Sequence, residues 1–326
     1  MASKIVWGII GCGDVAEVKS GPAFSLIPNS KLKAVMRRNL DKAKDFALRH
    51  NVPYYYNTVQ PILNDPEINA VYIATPPASH LDYALQAIKA GKHVYLEKPM
   101  TLNTAQSQQL CNAVKVSGTK LTVAHYRRKL PAFLKVKELL DGKCIGDVLF
   151  ADIQVLQPPK SHLVAQSELP WRFNAAIAGG GLFHDLAPHQ LDLMYLFFGE
   201  YNRAYGVSDT QNKASKVDDL VNGIIQFENG VQCRGIWSFN CADVSKTDRC
   251  VIYGTEGQIE FSFFGNYVHL KTAGQAHQFT FSNPKHVQHP MIAAVVDYFS
   301  GKQDVNPCAA DEALIVSELM DTFCVN

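Results

Sequence analysis

Neither sign of charge dominates this 326-residue chain, which has 31 lysine and arginine residues against 30 aspartate and glutamate residues. With a net charge of +1, no broad basic surface for nucleic acid is expected. No apolar run approaches the roughly 20 residues that a helix needs to cross a bilayer. The sequence therefore predicts a protein whose partners are neither nucleic acid nor a membrane.

The eight cysteines form no C-x-x-C pair and have no regular spacing. We expect reduced thiols, many of them buried. The start, MASKIVWGIIGC, loosely resembles a lipoprotein signal, but its apolar stretch covers only residues 5–10 and follows a single Lys4. A signal peptide needs about 7–15 apolar residues after a more basic start. We therefore expect a cytoplasmic protein.

Short apolar, β-branched segments alternate with amphipathic ones over the first 125 residues. The segments at 5–10, 32–37, 70–75, 93–97 and 120–126 have the continuous apolar character of strands buried on both faces of a parallel sheet. Helical patterns separate them, such as SHLDYALQAIKAG and NTAQSQQLCNAVKVSG. This alternation predicts a doubly wound α/β domain of the Rossmann type over residues 1–122.

The pattern changes after residue 145, where strand-like segments follow one another closely. Such spacing predicts an α+β domain over residues 123–326, with a large, open-faced and mostly antiparallel sheet. One helical segment, LDLMYLFF, follows three glycines, and two more helices close the chain. These strands outnumber the helices that could cover them. We therefore expect one sheet face to pack against another subunit in a homodimer or homotetramer.

A glycine turn follows the first predicted strand and opens a helix. In GCGDVA, Gly11 permits the tight turn, Gly13 lets the backbone approach a pyrophosphate, and Ala16 stands at the third position of the fingerprint. The helix N-terminus would supply N–H donors. A plain glycine-rich turn is the alternative. The predicted cofactor contacts in this turn are Gly11, Cys12, Gly13, Asp14 and Val15.

The end of the second predicted strand bears on the choice of cofactor. An NAD site usually places Asp or Glu there to bind the ribose 2′-hydroxyl, whereas this chain has Arg37 and Arg38. Guanidinium groups suit a 2′-phosphate, so NADP(H) is favoured and NAD(H) stays open. The alternative is a pair of solvated arginines. Asp41 comes later and is expected to cap or open the next helix.

Three segments, GIIGCGDVA, VYIATPPASHLDYALQAIKAGKHVYLEKPM and GGGLFHDLAPHQLD, resemble in this order the motifs of the glucose–fructose oxidoreductase/inositol dehydrogenase family (Gfo/Idh/MocA). The resemblance extends nearly from end to end, and the E-K-P tripeptide is its most specific part. It implies a Rossmann domain followed by an open-faced sheet domain that commonly packs against another subunit.

The resemblance also implies roles for individual residues. Lys98 would meet the substrate, and the peptide bond before Pro99 would be cis. Asp185 and His189 match the D-x-x-x-H pair of the family and would be catalytic and substrate-binding together with Lys98. Further cofactor contacts would come from Thr75, Pro76, His80, Glu97 and Lys98, and from Trp171 and Arg172 in PWRFN.

The cluster GGGLFHDLAPHQLDLM has a chemical interpretation of its own. Hydride transfer at a carbinol carbon requires a proton transfer at the attached oxygen, and histidine does this near neutral pH. Asp185 and His189, four residues apart, share one helical face, although Pro188 could kink the helix. A metal is disfavoured because His184 and His189 are five positions apart. The remaining alternative is a helix cap with a core histidine, and His184 and Asp192 are expected to support packing.

Tyr126 and Arg127 follow the last Rossmann strand and are expected to face the cleft between the domains, with Tyr126 as a substrate contact. Surface charge is an equal alternative for Arg127 and the favoured one for Arg128. The sequence thus predicts an NADP(H)-dependent oxidoreductase that interconverts a hydroxyl and a carbonyl on a sugar, polyol or related cyclic compound. Alternatives are a dihydrodiol or pentose dehydrogenase, an NAD-dependent glycoside-cleaving enzyme, and a non-catalytic dinucleotide sensor.

Overall fold

The structure is a computed structural model that describes residues 4–159, 161, 163, 169–213 and 215–324. The chain divides into two compact units, Met1–Arg127 with Pro284–Leu314, and Arg128–Asn283 with Ile315–Asn326. The first unit thus extends beyond the sequence-based boundary at residue 122 to Arg127, and it also includes Pro284–Leu314 from the region assigned to the second domain. No helix of the described ranges has both the length and the apolar character needed to span a membrane.

Strands and helices are numbered in chain order. The strands are β1 Ile5–Ile10, β2 Ser30–Met36, β3 Tyr54–Tyr56, β4 Ala70–Ile73, β5 His93–Leu96, β6 Leu121–Val123, β7 Val148–Leu156, β8 Tyr201–Asp209, β9 Leu220–Phe227, β10 Gln232–Ser238, β11 Thr247–Gly254, β12 Gly257–Phe261, β13 Tyr267–Thr272 and β14 Gln275–Thr280. The α-helices are α1 Leu40–Arg49, α2 Gln60–Asn64, α3 His80–Lys89, α4 Thr104–Ser117, α5 Pro131–Asp141, α6 Leu169–Arg172, α7 Ala175–Ala178, α8 Gly181–Phe198, α9 His289–Phe299 and α10 Ala310–Phe323.

The first unit contains a six-stranded parallel sheet in the order β3-β2-β1-β4-β5-β6. The predicted Rossmann architecture is confirmed. The central strands β1 and β4 are almost wholly buried, as their continuous apolar sequences require. The strand order reverses between these two strands, so their carboxyl ends form the switch point at which such sheets bind ligands.

The second unit contains an eight-stranded sheet in the order β14-β13-β12-β11-β7-β10-β9-β8. Its neighbouring strands are antiparallel except for β7 and β10, which are parallel, so the predicted mostly antiparallel sheet is confirmed. On the inner face, Phe323 of α10 packs where Gly206 and Gly223 pair across β8 and β9. A Cβ at either glycine would lie within 2.4 Å of Phe323, so only glycine leaves room for this ring.

The outer face of the same sheet exposes apolar side chains. Tyr205 and Val207 of β8 are 64% and 63% exposed, and Ile224 of β9, which pairs with Tyr205, is 53% exposed. Nearby, Phe150 stacks on Tyr253 with ring centroids 4.6 Å apart. We call Tyr205, Val207 and Ile224 the outer apolar strip. A strip of this kind is a feature of interaction surfaces.

Arg128 is buried, which corrects its predicted place on the surface. Its Nε lies 3.0 Å from both carboxylate oxygens of Asp192, and its Nη2 donates to Asp192 Oδ1 at 2.7 Å. The two side chains are 4% and 1% exposed. Because an unpartnered buried charge is costly, this pair explains how both residues can lie in the interior. Asp192 therefore supports packing, as its position in the sequence led us to expect.

Candidate active site

The glycine turn follows β1 and approaches the end of β4. Gly11 has a φ of +95°, and a Cβ there would lie 2.9 Å from the carbonyl carbon and oxygen of Ala74. Only glycine combines this backbone conformation with such proximity. A Cβ at Gly13 would have no described atom within 4 Å, so this side of the turn is open to an approaching ligand.

The helix after the turn begins at Asp14 and is not a regular α-helix. It continues as a π-helical turn over Ala16–Ser20 and then as a 3₁₀ helix over Gly21–Ser25. The amide groups of Gly11 and Cys12 both donate to the carbonyl oxygen of Met36. These bonds fix the turn against the end of β2, while the helix start that follows has the polarity that suits an anion.

Arg37 and Arg38 extend from the end of β2. Arg37 is half-buried, and its Nη1 donates to the carbonyl oxygen of Cys12 at 3.3 Å, which joins the arginine to the glycine turn. Arg38 is exposed. Asn39 caps α1 by accepting a hydrogen bond from the Lys42 amide. Asp41, which was expected to cap or open this helix, lies in the first turn of α1, and Asn39 is the cap.

His80 connects two segments in which the family resemblance implies cofactor contacts. Its Nε2 lies 2.7 Å from the Thr75 carbonyl oxygen, and its Nδ1 lies 3.0 Å from that of Pro99. The ring is 1% exposed, and burial lowers its pKa. The Thr75 hydroxyl in turn accepts a hydrogen bond from Ser79. His80 therefore joins residues 74–76, the A-T-P segment, to residues 97–99, the E-K-P segment.

Glu97 and Lys98 follow β5. The Glu97 carboxylate is buried, and its Oε2 accepts a hydrogen bond from the Lys98 amide at 3.2 Å. The Lys98 residue is half-buried, and the Lys98–Pro99 peptide bond is cis, as expected. The lysine is therefore held by its main chain at the carboxyl end of the parallel sheet, where ligands of such folds bind.

Tyr126 follows β6 and is buried. Burial by itself raises the pKa of its phenol, but the positive charges of Arg127, Lys19 and Lys98 outweigh this and bring the pKa below the ordinary value of 10. The sequence assigned Tyr126 to substrate binding only. A phenol with a lowered pKa can also exchange a proton more readily, a property that no sequence pattern indicates.

In the second unit, α6 and α8 bring three predicted site residues together. Arg172 Nε donates to Asp185 Oδ2 at 2.8 Å, and the Arg172 guanidinium carbon lies 4.4 Å from the centroid of the Trp171 ring. The side chains of this ion pair are 7% and 16% exposed. The sequence spacing pairs Asp185 with His189, whereas nothing in the spacing of Arg172 and Asp185 indicates their contact.

His189 lies on the same helix as Asp185. The helix α8 extends from Gly181 to Phe198 and includes Pro188, so the four-residue spacing places Asp185 and His189 on one face. His189 is buried, and its ring lies edge to face with Phe264 at 6.0 Å between centroids. His184 has a packing role, since its Nδ1 bonds to the Gly180 carbonyl and burial lowers its pKa.

Comparison with known proteins places this arrangement in a family. A model described as "Oxidoreductase family, NAD-binding Rossmann fold" matches residues 5–125, and the "GFO/IDH/MocA C-terminal domain" matches residues 133–260. Oxidoreductase P35 of Formosa agariphila is 50% identical over 324 residues, which is 99% of each chain. The chain belongs to the GFO/IDH/MocA family.

Solved structures share the fold of this family member. The 3-ketoreductase KijD10 of Actinomadura kijaniata, in complex with NADP and TDP-benzene, has a TM-score of 0.82 at 23% identity, over 98% of this chain and 96% of its own. Levoglucosan dehydrogenase, in complex with NADH and levoglucosan, has a TM-score of 0.83 at 24% identity over the same shares. At these identities the likeness concerns the fold. The family member described here is an NAD(P)-dependent oxidoreductase.

Two alanine substitutions in the glycine turn separate folding from cofactor binding. Gly11→Ala forces a strained φ and a methyl group against the Ala74 carbonyl, so we expect a lower melting temperature and lost cofactor binding. Gly13→Ala meets no described protein atom, so only cofactor affinity should fall. Thermal unfolding of the apoprotein and fluorescence titration with NADPH and NADH measure both effects. Wild-type affinity in both variants would contradict the assignment of the turn.

Proposed function

We propose that this family member is an NADP(H)-dependent oxidoreductase that interconverts a hydroxyl and a carbonyl on a sugar, polyol or related cyclic compound. The main observation in support is that the first unit contains both a glycine turn that is open on the side of Gly13 and, after the end of β5, Lys98. The names of KijD10 and levoglucosan dehydrogenase, a ketoreductase and a sugar dehydrogenase, support the substrate class.

The proposed site residues divide the chemistry between them. The nicotinamide, when bound, supplies or accepts the hydride. Lys98 donates a hydrogen bond to the reacting oxygen and stabilises the charge that develops there. His189 transfers the proton, as a general acid or base must. Asp185, held by Arg172 at 2.8 Å, positions the substrate next to His189 on α8.

The remaining contacts belong to the cofactor and the substrate. We propose that Thr75, Pro76 and His80 lie along the nicotinamide half of the cofactor and that Glu97 and Lys98 lie at its reactive end. Tyr126 is proposed to contact the substrate. Trp171 and Arg172 are proposed to cover the cofactor. The open side of Gly13 and the guanidinium groups after β2 fit a dinucleotide with a 2′-phosphate.

A screen of sugars, inositols and deoxy- or anhydro-ketoses with both nicotinamides, followed by nicotinamide absorbance, tests the function directly. Turnover of a carbohydrate with NADPH or NADP⁺ is expected. Glycoside cleavage without net absorbance change, by protein that retains its cofactor, would instead indicate chemistry by transient oxidation. Cofactor binding without turnover of any compound would favour a dinucleotide sensor.

The choice of cofactor can be tested at Arg37 and Arg38. Loss of a charge-assisted hydrogen bond to a phosphate costs about 1.5–3 kcal/mol, or roughly ten- to a hundredfold in affinity. The Arg37→Ala/Arg38→Ala variant should therefore lose NADPH affinity by at least this factor. Its NADH affinity is the internal control, because distortion of the glycine turn through the Arg37–Cys12 contact would lower both. A wild type that prefers NADH would overturn the proposal.

The proton transfer assigned to His189 can be tested by His189→Asn. This change keeps hydrogen-bonding capacity and removes the titrating group, so kcat should fall by roughly 10²- to 10⁴-fold. NADPH affinity should persist, since the glycine turn belongs to the other unit. Lys98→Ala should also lower kcat, and the double variant should lose less than the product of both defects.

The matched control for this test is His184→Asn on the same helix. His184 is buried and its ring packs edge to face against Phe183, so the loss of this ring should lower the melting temperature while kcat stays close to the wild-type value. Near-normal turnover of His189→Asn, or equal losses of kcat in the two histidine variants, would return His189 to the role of a core histidine.

We propose in addition that two copies of the chain associate through the outer apolar strip. Tyr205→Lys/Ile224→Lys places charge on the strip and should halve the mass measured by light scattering, from that of a dimer to that of a monomer or from that of a tetramer to that of a dimer. Val244→Lys is the control, because Val244 is 96% exposed within the Asp243–Ser245 turn, outside the strands. A monomeric wild type at micromolar concentration would exclude the proposal.

A further inference from the structure

The Glu97 carboxylate is the end point of two chains of buried hydrogen bonds. In one chain, Ser20 donates to the Tyr72 hydroxyl at 3.0 Å, and Tyr72 donates to Glu97 Oε1 at 2.6 Å. In the other, Tyr95 donates to Gln288 Oε1 at 2.9 Å, and Gln288 Nε2 donates to the same Glu97 oxygen at 2.5 Å. The four donor residues are completely shielded from solvent.

Both chains have the same polarity, and each ends on the carboxylate. Burial, followed by the charge of Glu97, raises the pKa of Tyr72 and of Tyr95 well above the ordinary value, so the two phenols stay protonated and remain donors. Since an ionised carboxylate only accepts hydrogen bonds, the arrangement suits Glu97 as an anion. Successive bonds in such chains polarise and strengthen one another.

Gln288 enters this network from a distant part of the sequence. It is separated from Glu97 by 191 residues and precedes α9 in the segment Pro284–Leu314. The main-chain amide of Gln288 donates to the Lys19 carbonyl oxygen, and Nδ1 of the His286 side chain lies 3.2 Å from the Val18 carbonyl oxygen. These two contacts fix where the Gln288 side chain begins, so its side-chain amide reaches Glu97 in a defined position.

The fixed Glu97 carboxylate in turn restrains the main chain of Lys98, the residue that follows it. Its second oxygen, Oε2, accepts the Lys98 amide at 3.2 Å. The carboxylate is therefore held at Oε1 by Tyr72 and Gln288, while Oε2 holds the main chain of Lys98. Displacement of a reacting group by about 1 Å can cost about a hundredfold in rate. A fixed carboxylate thus matters if Lys98 acts on the substrate.

We propose that Gln288 is a positioning residue that, through Glu97, sets the orientation of Lys98. This inference rests on the proposed function, in which Lys98 contacts the reacting oxygen. Gln288 itself is proposed to touch neither substrate nor cofactor. A role confined to packing would change the melting temperature alone, whereas a positioning role changes kcat with little change in KM or in cofactor affinity.

The main test compares Gln288→Leu with Gln303→Leu. Gln288→Leu keeps the approximate volume and removes the amide donor, so kcat should fall by about ten- to a hundredfold while cofactor affinity persists. Gln303 lies in the same segment and donates to the carbonyls of Ala294 and Val305, so its replacement should leave kcat unchanged. Amide hydrogen exchange of the peptide with Lys98 gives a readout independent of turnover and should accelerate only in Gln288→Leu.

For a second variant, Gln288→Glu, we expect kcat to depend on pH with a definite sign. At low pH the introduced carboxyl is protonated and can donate to Glu97, whereas at higher pH two carboxylates repel each other. The kcat of this variant relative to wild type should therefore fall as pH rises, and Gln288→Leu should show no such trend. The surrounding titratable groups, which all variants share, are Tyr72 on β4, Tyr95 on β5, His80 on α3, Tyr126 after β6, Lys19 and Lys98.

The outcomes separate this inference from the proposed function. If Lys98→Ala keeps full turnover, the proposed role of Lys98 is wrong, whatever the Gln288 variants do. If Lys98→Ala is impaired and folded Gln288→Leu has wild-type kcat and exchange, only the positioning role is overturned. Equal losses in Gln288→Leu and Gln303→Leu also overturn it. Should Gln288→Leu not fold, Tyr72→Phe removes the other donor to Oε1 and must lower kcat in the same manner.

Discussion

The close approach of Gly11 to the main chain after β4 is the constraint on which the arrangement of the carboxyl-terminal sheet edge in the first unit depends. A Cβ at Gly11 would lie 2.9 Å from the Ala74 carbonyl group. Only glycine at this position therefore lets the turn pass so close to the chain after β4. The residues after Ala74 then lead to His80, which bonds to the carbonyls of Thr75 and Pro99. One backbone constraint thus places the glycine turn, the A-T-P segment and the E-K-P segment at the same edge of the sheet.

The sequence predicted the parts of this arrangement that depend on local patterns. Apolar runs and glycines located five of the six Rossmann strands and the turn, but not the three-residue strand β3. The D-x-x-x-H spacing located two residues on one helix. The contacts it missed join residues far apart in the chain, for which no periodicity exists. Arg172 is 13 residues from Asp185, Arg128 is 64 from Asp192, and Gln288 is 191 from Glu97.

The second sheet shows the same limit at the level of topology. Closely spaced strands predict antiparallel neighbours, and most pairs are antiparallel. The parallel pair of β7 and β10 arises because the chain returns beside β7 after α8 and the β8–β9 pair, an order that strand patterns do not encode. The presence of glycine at positions 206 and 223 is explained by Phe323, which lies near the end of the described chain and packs against both residues.

The buried polar groups of this protein are better explained by their effect on the orientation of neighbouring polar groups than by a contribution to the stability of the fold. A buried ion pair such as Arg172–Asp185 is weak evidence for a stable fold, because apolar residues of similar volume often stabilise a core equally well. Apolar residues cannot, however, fix the direction in which a neighbouring polar group points. Glu97 is bonded to the amide of Lys98, and Asp185 shares a helical face with His189. The polar interior therefore lies next to the residues whose orientation the proposed reaction requires.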